Sequence, residues 1–278
     1  MVIRAGSAED VVPAGWRPKL VALDIDGTVI DHAGHLPLAV FEAVQRALAA
    51  GARVVLSTGR GWHATRPVHD ALQLPPGPAI SSNGAVIVRY PPTRIVREVT
   101  FDPRDVISKV AELAPHALIA TEVIGTGYRV SAPFPPGDLE GELIEESLEE
   151  LMSVPVTRVI VRDPNSSDRD FLALAERLGL HGVQYFIGYS AWLDIAPEGV
   201  HKGSAVGDVA ARLGIAQADV LAMGDGRNDI EMLRWAGRGV AMGDAPAEVQ
   251  QAADVVTELF AENGTANELN RWFGPAAR

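Results

Sequence analysis

The sequence of 278 residues contains no cysteine. A disulfide framework, a thiolate metal site and a cysteine nucleophile are therefore excluded. Long hydrophobic runs are missing too, because apolar stretches such as Leu20–Leu23 and Val220–Met223 are far shorter than the roughly 18 residues of a membrane span. Residues 1–18 also lack the apolar stretch of about seven residues that a signal peptide needs. We therefore expect a soluble cytoplasmic protein without membrane contact.

Basic residues are outnumbered, with 24 Lys and Arg against 36 Asp and Glu, and the formal net charge is -12. Nucleic-acid binding depends on clustered basic residues, and no basic stripe is present, so we expect no nucleic-acid partner. An acidic protein can still bind one small phosphorylated metabolite if the pocket supplies its own cations. Lysine is rare, since only Lys19, Lys109 and Lys202 occur against 21 arginines, and Lys202 lies in a glycine-containing loop.

Short apolar runs alternate with amphipathic stretches of helix length at both ends of the chain. A strand at 20–23, a helix at 37–50 and a strand at 53–56 are typical of a parallel crossover unit. Both ends together predict an α/β fold with one doubly wound, Rossmann-like parallel sheet. The elements expected near the C-terminal end are helices at 203–213, 229–235 and 245–252 and strands at 220–223, 239–242 and 254–256.

The pattern of apolar and polar residues changes in the middle of the chain, from Pro91 and Pro92 onward. Helices on one face of a mostly antiparallel sheet fit the order of its elements and predict an inserted domain of the α+β class. Its expected helices span 103–114, 140–152 and 168–178, and its strands span 117–121, 128–130, 156–161, 183–186 and 193–195. The predicted organisation is a flexible leader at 1–17, an α/β domain at 18–90 and 190–278, and an inserted second domain at 91–189.

Two aspartates follow the first predicted strand, in the segment Leu23-Asp24-Ile25-Asp26-Gly27-Thr28. The strand period of two places Asp24 and Asp26 on one side of the chain, at the sheet edge where ligands bind. One carboxylate can then act as a nucleophile while the other donates and recovers a proton. The alternative is that these aspartates only form a turn or a helix cap.

A second acidic segment, Met223-Gly224-Asp225-Gly226-Arg227-Asn228-Asp229, follows another apolar strand and precedes a helix. It supplies two carboxylates and one amide, although Asp229 or Asn228 could simply cap the helix. A calcium-binding loop is excluded for both acidic segments, because the glycine and glutamate that such a loop requires at its sixth and twelfth positions are absent.

Three weaker segments supply groups that bind anions. Thr58 and Gly59 follow the second predicted strand and precede a helix, where backbone amides suit an anion. Lys202 stands at the start of a helix, although a lone lysine in a loop is more often only solvated. Asn83-Gly84 follows a further strand, although an Asn-Gly pair can also be only a turn. All these groups are expected at the same edge of the predicted sheet.

The charge at this edge implies a cation. A phosphate near -2 beside the ionised carboxylates of Asp24, Asp225 and Asp229 leaves Lys202 as the main compensating charge. Like charges about 4 Å apart repel by roughly 4 kcal/mol at an effective dielectric constant near 20. The available ligands are oxygens, without Cys or His, so Mg²⁺ is expected rather than Zn²⁺.

These segments resemble the four motifs of the haloacid dehalogenase (HAD) superfamily, in an order similar to its Cof-type branch with a type IIB cap. The resemblance covers the chain from Leu20 onward. It implies that 18–90 and 190–278 form the catalytic core and that the inserted α+β domain at 91–189 is a cap that sets substrate specificity. It also implies the following chemistry. Asp24 attacks phosphorus and forms an aspartyl-phosphate, and Asp26 protonates the leaving oxygen and then deprotonates water. Thr58 and Lys202 hold the phosphoryl oxygens, and Lys202 also orients Asp24.

The resemblance also implies a ligand set for Mg²⁺, made of the carboxylates of Asp24 and Asp225 and the backbone carbonyl of Asp26. Asp229 lies behind these ligands, and no role follows for Arg227. The residues expected to bind substrate are Thr58, Gly59, Asn83, Gly84, Lys202 and Asn228.

The sequence therefore predicts a Mg²⁺-dependent phosphatase of a small phosphomonoester, such as a sugar phosphate or a phosphorylated cofactor or its precursor. A phosphomutase would share the aspartyl-phosphate but return the phosphoryl group to a bound sugar. A noncatalytic regulator that binds a phosphorylated ligand would be expected to have a damaged first motif, whereas Asp24 and Asp26 are both present.

Overall fold

The computed structural model describes residues 12, 13, 15–166, 174, 177, 178, 183–187 and 192–274. The strands are β1 (Leu20–Leu23), β2 (Arg53–Leu56), β3 (Gly77–Ser81), β4 (Val86–Tyr90), β5 (Arg94–Glu98), β6 (Leu118–Val123), β7 (Gly127–Val130), β8 (Glu142–Glu145), β9 (Val159–Arg162), β10 (Val183–Ile187), β11 (Trp192–Pro197), β12 (Val220–Gly224), β13 (Arg238–Ala241) and β14 (Val255–Val256). The α-helices are α1 (Leu38–Ala49), α2 (Trp62–Ala71), α3 (Arg104–Leu113), α4 (Leu148–Leu151), α5 (Lys202–Leu213), α6 (Ile230–Trp235), α7 (Ala247–Ala252) and α8 (Gly264–Phe273). None of these helices is long and apolar enough to span a membrane.

The chain divides into two compact units. The first unit comprises Met1–Thr58, His69–Pro78 and Lys202–Arg278, and the second comprises Gly59–Val68 and Ala79–His201. The second unit thus includes residues that the sequence analysis assigns to the core, among them 79–90, and the predicted domain boundaries stay a prediction. Most of the predicted leader, and most of the helix predicted at 168–178, lie outside the described residues.

A five-stranded parallel sheet forms the centre of the first unit, in the order β14-β13-β12-β1-β2. Every residue of β1, β12 and β13 is buried, which requires that both faces of the sheet are covered. Continuous apolar strands are typical of such a sheet. Helix α1 packs against α8, and α5 packs against α6. The predicted doubly wound α/β core is confirmed.

A six-stranded sheet in the order β10-β11-β9-β6-β7-β8 dominates the second unit. All of its pairings are antiparallel except that of β7 with β8. Val106, Ile107 and Val110 of α3 are buried in one apolar cluster with residues of β9 and β11. Since a helix packs on a mostly antiparallel sheet, the second unit has the α+β character that the sequence predicts.

The helix predicted at 140–152 is wrong. Glu142–Glu145 forms the exposed edge strand β8, which pairs with β7, and only Leu148–Leu151 is helical. Ser147 begins this short helix through a capping box with Glu150. The helix propensity of Glu and Leu is therefore overridden by backbone pairing with a neighbouring strand.

Trp16 and Arg17, at the end of the predicted flexible leader, contact helix α8. The rings of Trp16 and Trp272 lie edge to face with centroids 4.8 Å apart, and Trp16 Nε1 donates a hydrogen bond to the Ala218 carbonyl at 2.8 Å. Arg17 Nε donates to the carbonyl of Trp272 at 2.9 Å. The last residues of this segment therefore have fixed contacts with the C-terminal helix.

A buried ion pair joins β13 to α8. Arg238 Nε donates to Glu268 Oε1 at 2.7 Å, and both side chains are almost fully buried. Trp272 Nε1 donates to the same Glu268 oxygen at 3.0 Å. We expect Glu268→Gln to lower the free energy of unfolding by about 3 kcal/mol, because it removes the carboxylate charge that faces the buried Arg238 guanidinium at 2.7 Å. Urea unfolding followed by circular dichroism measures this change.

The same substitution at an exposed pair is the control. Glu42 and Arg46 lie one turn apart on α1, 3.6 Å from each other and partly in solvent. Glu42→Gln should change the free energy of unfolding by less than about 1 kcal/mol. Equal losses for the two variants would contradict a special role of the buried pair.

Candidate active site

Strands β1 and β12 end side by side at the point where the chain order of the parallel sheet reverses. Strand β1 pairs with β2 on one side and with β12 on the other. In doubly wound sheets this point opens a crevice for ligands at the carboxyl ends of the strands. Asp24 follows β1 directly, and its backbone N–H donates to the carbonyl of Met223 in β12 at 3.0 Å. Asp225 follows β12, so the two acidic segments meet here.

Lys202 connects the two acidic segments. Its ammonium donates a hydrogen bond of 2.7 Å to Asp24 Oδ1 and another of 2.7 Å to Asp229 Oδ1. The side chain lies at the first position of α5 and is fully buried. A buried ammonium is costly unless it is paired, and two carboxylates pair this one.

Asp229 uses its other oxygen to fix the second acidic loop. Its Oδ2 accepts the backbone N–H of Asp225 at 3.1 Å and that of Gly226 at 2.9 Å. A Cβ on Gly224 would lie 2.3 Å from Asp229 Cγ, so the loop closes around this carboxylate only because residue 224 is glycine. Both Asp229 oxygens are engaged by the protein, which makes Asp229 a positioning residue for Lys202 and for the loop.

The carboxylates of Asp24, Asp225 and Asp229 offer oxygens that all lie within 4.8 Å of one another. Burial raises the pKa of Asp24 well above its ordinary value, Asp229 raises it further, and Lys202 lowers it. Burial also raises the pKa of Asp225 to about 7, with Asp229 adding to the increase. Burial disfavours the charged form of Lys202, but Asp229 and Asp24 outweigh it and raise the pKa of the ammonium.

This cluster fits a hard divalent cation. The candidate ligands are oxygens, and one ammonium faces three carboxylates, whose mutual repulsion adds to the effect of burial in raising the pKa values of Asp24 and Asp225. Space for the Asp225 carboxylate depends on Gly27, which has a φ of +72° and whose added Cβ would lie 2.5 Å from Asp225 Oδ2. Mg²⁺ prefers oxygen ligands of this kind, and the cluster of Asp24, Asp225 and Asp229 contains no thiolate and no imidazole.

Three further predicted site residues belong to the first unit. Asp26 is partly exposed, and its charge contributes to the raised pKa values of Asp24 and Asp225. Thr58 is buried two residues after the end of β2. Asn228 is partly exposed in the turn between β12 and α6. These residues follow the strand ends that the sequence indicates.

The other predicted substrate-binding residues, Gly59, Asn83 and Gly84, belong to the second unit. Asn83 is buried and donates from Nδ2 to Asp194 Oδ2 at 2.9 Å. Asp194 in turn accepts a hydrogen bond from Arg158. Neither Asp194 nor Arg158 belongs to a motif, and the local signals for them are a charge within the apolar strand β11 and a charge directly before the apolar strand β9.

Arg227, for which the motif implies no role, joins the acidic loop to α7. Its Nε donates to Glu248 Oε1 at 2.7 Å, and both side chains are about half exposed. An exposed pair of this kind contributes little to stability.

The family is decided by a match along nearly the whole chain. The family model described as haloacid dehalogenase-like hydrolase matches residues 21–269. The chain belongs to the haloacid dehalogenase-like hydrolases. It is 32% identical over 260 residues to a phosphoglycolate phosphatase of Aeropyrum pernix, with 93% of this chain and 95% of that protein covered.

Two further HAD relatives agree along their whole length. The 5-amino-6-(5-phospho-D-ribitylamino)uracil phosphatase YitU of Bacillus subtilis is 26% identical, with 92% of this chain and 98% of that protein covered. The structure of the HAD subclass IIB sugar phosphatase BT4131 superposes with a TM-score of 0.79 at 22% identity, covering 91% of this chain and 98% of that one, and shows the shared fold. The predicted HAD membership of the Cof type and the predicted phosphatase class of enzyme are confirmed.

Proposed function

We propose that this HAD hydrolase is a Mg²⁺-dependent phosphatase that hydrolyses a small phosphomonoester through an aspartyl-phosphate on Asp24. The observation that supports this most strongly is the double contact of Lys202, at 2.7 Å, with Asp24 and with Asp229. One charged group thus orients the nucleophile and is itself oriented by a buried carboxylate. Phosphoryl transfer depends mainly on positioning and on compensation of charge, which this arrangement provides.

In the first step an oxygen of Asp24 attacks phosphorus. The new bond joins Asp24 to phosphorus while the bond from phosphorus to the leaving oxygen breaks, and Asp26 donates a proton to that oxygen. Lys202 holds Asp24 Oδ1, which keeps the carboxylate in one orientation during the attack. Thr58 and Lys202 donate hydrogen bonds to the phosphoryl oxygens, together with the backbone of Gly59.

In the second step water replaces Asp24 on phosphorus. Asp26, now ionised, accepts a proton from the attacking water, the bond from Asp24 to phosphorus breaks, and inorganic phosphate leaves. Asn228 contacts the phosphate, and Asp229 keeps Lys202 in place throughout. Asn83 and Gly84 contribute to substrate binding.

The carboxylates of Asp24 and Asp225 and the backbone carbonyl of Asp26 would hold Mg²⁺. When bound, the ion supplies positive charge that compensates the carboxylates and the phosphoryl oxygens. Removal of divalent cations with a chelator should reduce turnover of p-nitrophenyl phosphate at least about 100-fold, and added Mg²⁺ should restore it.

The variant Asp225→Asn extends this test. We expect the Mg²⁺ concentration for half-maximal activity to rise at least about tenfold, because one charged ligand is lost. A titration of activity with Mg²⁺ measures the shift. Activity that persists in full after exhaustive chelation would exclude the metal requirement.

The substrate is best identified by a panel of phosphorylated metabolites assayed with Mg²⁺ and with chelator. The names of the relatives suggest phosphoglycolate and 5-amino-6-(5-phospho-D-ribitylamino)uracil for this panel, beside sugar phosphates. Release of free phosphate without an isomerised sugar phosphate supports hydrolysis and excludes a mutase. Failure of every compound, with tight binding of one, would favour a noncatalytic regulator.

The expected partner is therefore a small phosphorylated metabolite. The net charge of -12 supports the absence of a nucleic-acid partner, since phosphates of a polyanion would be repelled. We propose the cytoplasm as the compartment, where such metabolites and Mg²⁺ are available.

A further inference from the structure

A buried polar network in the second unit surrounds Arg158. The Arg158 side chain is 4% exposed and lies just before β9. Its Nη1 donates to Asp194 Oδ2 at 3.1 Å and to the Gly59 carbonyl at 2.5 Å, and its Nη2 donates to the Tyr128 hydroxyl. Its Nε forms an ion pair of 3.6 Å with Glu122. A single guanidinium therefore contacts four groups that are far apart in the sequence.

The contact with Gly59 reaches the loop that follows Thr58. Glycine has the widest backbone freedom of any residue, so the orientation of its carbonyl must be fixed from outside. Arg158 donates to the Gly59 carbonyl and so fixes its orientation. The backbone N–H of Ser82 donates to the carbonyl of Arg60, the next residue, at 2.8 Å. Because peptide groups are planar, the two held carbonyls fix the peptide planes on either side of the Arg60 Cα, and thus the backbone that directly follows Gly59.

The same network holds the loop of Ser82 and Asn83. Both residues have a φ of 52°, in the left-handed region that costs free energy for residues other than glycine. Ser82 Oγ donates to Glu122 Oε2 at 2.6 Å, and Asn83 Nδ2 donates to Asp194 Oδ2 at 2.9 Å. The two carboxylates that hold this strained loop are the two that pair with Arg158.

We propose that Arg158 is a positioning residue that orients two substrate-binding loops, Thr58-Gly59-Arg60 directly through the Gly59 carbonyl and Ser82-Asn83-Gly84 through Asp194 and Glu122. This inference rests on the proposed function, in which Thr58, Gly59 and Asn83 bind substrate. Arginine suits the role because its planar fork donates in several fixed directions, whereas a lysine ammonium cannot reach the same set of acceptors.

The primary test is Arg158→Lys, which keeps the positive charge between Glu122 and Asp194. We expect the KM for p-nitrophenyl phosphate and the inhibition constant of inorganic phosphate each to rise about tenfold or more, because the phosphate-binding loop loses its fixed orientation. A purely structural role would lower kcat in proportion to the folded fraction and leave KM and the inhibition constant unchanged.

The matched control is Thr157→Val, one residue away. Thr157 Oγ1 donates to Glu122 Oε2 at 2.9 Å, so the variant loses a buried hydrogen bond of the same network without touching Arg158 or Gly59. We expect its KM and its phosphate inhibition constant to stay within twofold of the wild-type values. Equal shifts in Arg158→Lys and Thr157→Val, or no shift in Arg158→Lys, would overturn the proposal.

A second variant covers the case in which Arg158→Lys does not fold. Asp194→Asn keeps Arg158 but weakens its anchor, and we expect a smaller rise of the phosphate inhibition constant in the same direction. If the inhibition constant of inorganic phosphate is unchanged in Asp194→Asn, this result contradicts the proposal.

Failure of the proposed function gives a different result. If wild-type protein hydrolyses no phosphomonoester, amide hydrogen exchange still tests the positioning role. Amide hydrogens in the peptides covering 58–61 and 82–84 should exchange faster in Arg158→Lys than in Thr157→Val. Equal exchange rates in the two variants would refute the positioning role of Arg158.

Discussion

Asp24→Asn should abolish phosphatase turnover, with kcat for p-nitrophenyl phosphate falling at least about 1,000-fold, as is typical when a nucleophile is removed. The physical reason is that a neutral amide is a poor nucleophile toward phosphorus. The amide also weakens the charge-assisted contact with Lys202, which donates to Asp24 Oδ1 at 2.7 Å. Steady-state kinetics measures the loss, and trapping of a phosphorylated wild-type protein by rapid acid quench reports the covalent step.

The control is Asp31→Asn, seven positions later in the chain. Asp31 lies in an exposed loop, where its carboxylate accepts the backbone N–H groups of Ala33 at 2.9 Å and His35 at 2.8 Å. An asparagine oxygen can accept the same hydrogen bonds, so activity should stay within about twofold of wild type. An Asp24→Asn protein that retains more than one tenth of wild-type kcat would remove Asp24 from the proposed mechanism.

Lys202→Met carries the second large expected effect. We expect kcat to fall about 100- to 1,000-fold, the usual range when a group that stabilises transition-state charge is lost. Methionine fills a similar volume but removes the ammonium that pairs with Asp24 and Asp229. The raised pKa of Asp24 would rise further without this cation, so a larger fraction of the nucleophile would be protonated.

Lys19→Met separates this effect from the loss of any lysine. Lys19 lies in the same unit, pairs with Asp219 at 2.8 Å, and its side chain is 67% exposed. Its loss should leave kcat unchanged within about twofold. Circular dichroism melting of both variants shows whether the protein is folded. A folded Lys202→Met protein that retains more than one tenth of wild-type kcat would contradict the role assigned to Lys202.

The strands that carry the acidic segments could be predicted closely from the sequence. The predicted strands at 20–23 and 53–56 coincide with β1 and β2, and that at 220–223 is one residue shorter than β12. Each contains a short apolar run that is followed by a polar residue or a glycine, a pattern typical of strands in a parallel sheet with covered faces. Since their carboxyl ends meet at one edge, the meeting of Asp24 with Asp225 follows from the pattern.

The error at 140–152 and the missing bounds of the helix predicted after Gly59 have a common cause. Glu142–Glu145 is rich in helix-forming residues, but it forms a strand because its backbone pairs with the edge of β7. The residues of β7 are too far away in the sequence for a local pattern to reveal this pairing. Helix α2 (Trp62–Ala71) contains Pro67, which interrupts the local helical pattern, so the sequence predicts a helix after Gly59 without its bounds. Tertiary pairing and packing decide both segments.

The contacts around Arg158 could not be predicted from the sequence, because they depend on how the strands of the second unit align. The members of this network, Glu122, Tyr128, Arg158 and Asp194, come from four different strands or strand ends of the second unit. Only the register of the six-stranded sheet brings them together, and a single sequence gives no information on that register. A charged residue within an apolar strand was the one local indication.

Gly27 has a consequence for attempts to redesign this enzyme. Its backbone has a φ of +72°, and a methyl group there would lie 2.5 Å from Asp225 Oδ2. Even alanine would have to push that carboxylate aside while adopting a disfavoured backbone conformation. Libraries that aim at altered reactivity should therefore keep this glycine fixed and place their diversity elsewhere, because here the smallest side chain already competes with the Asp225 carboxylate for the same volume.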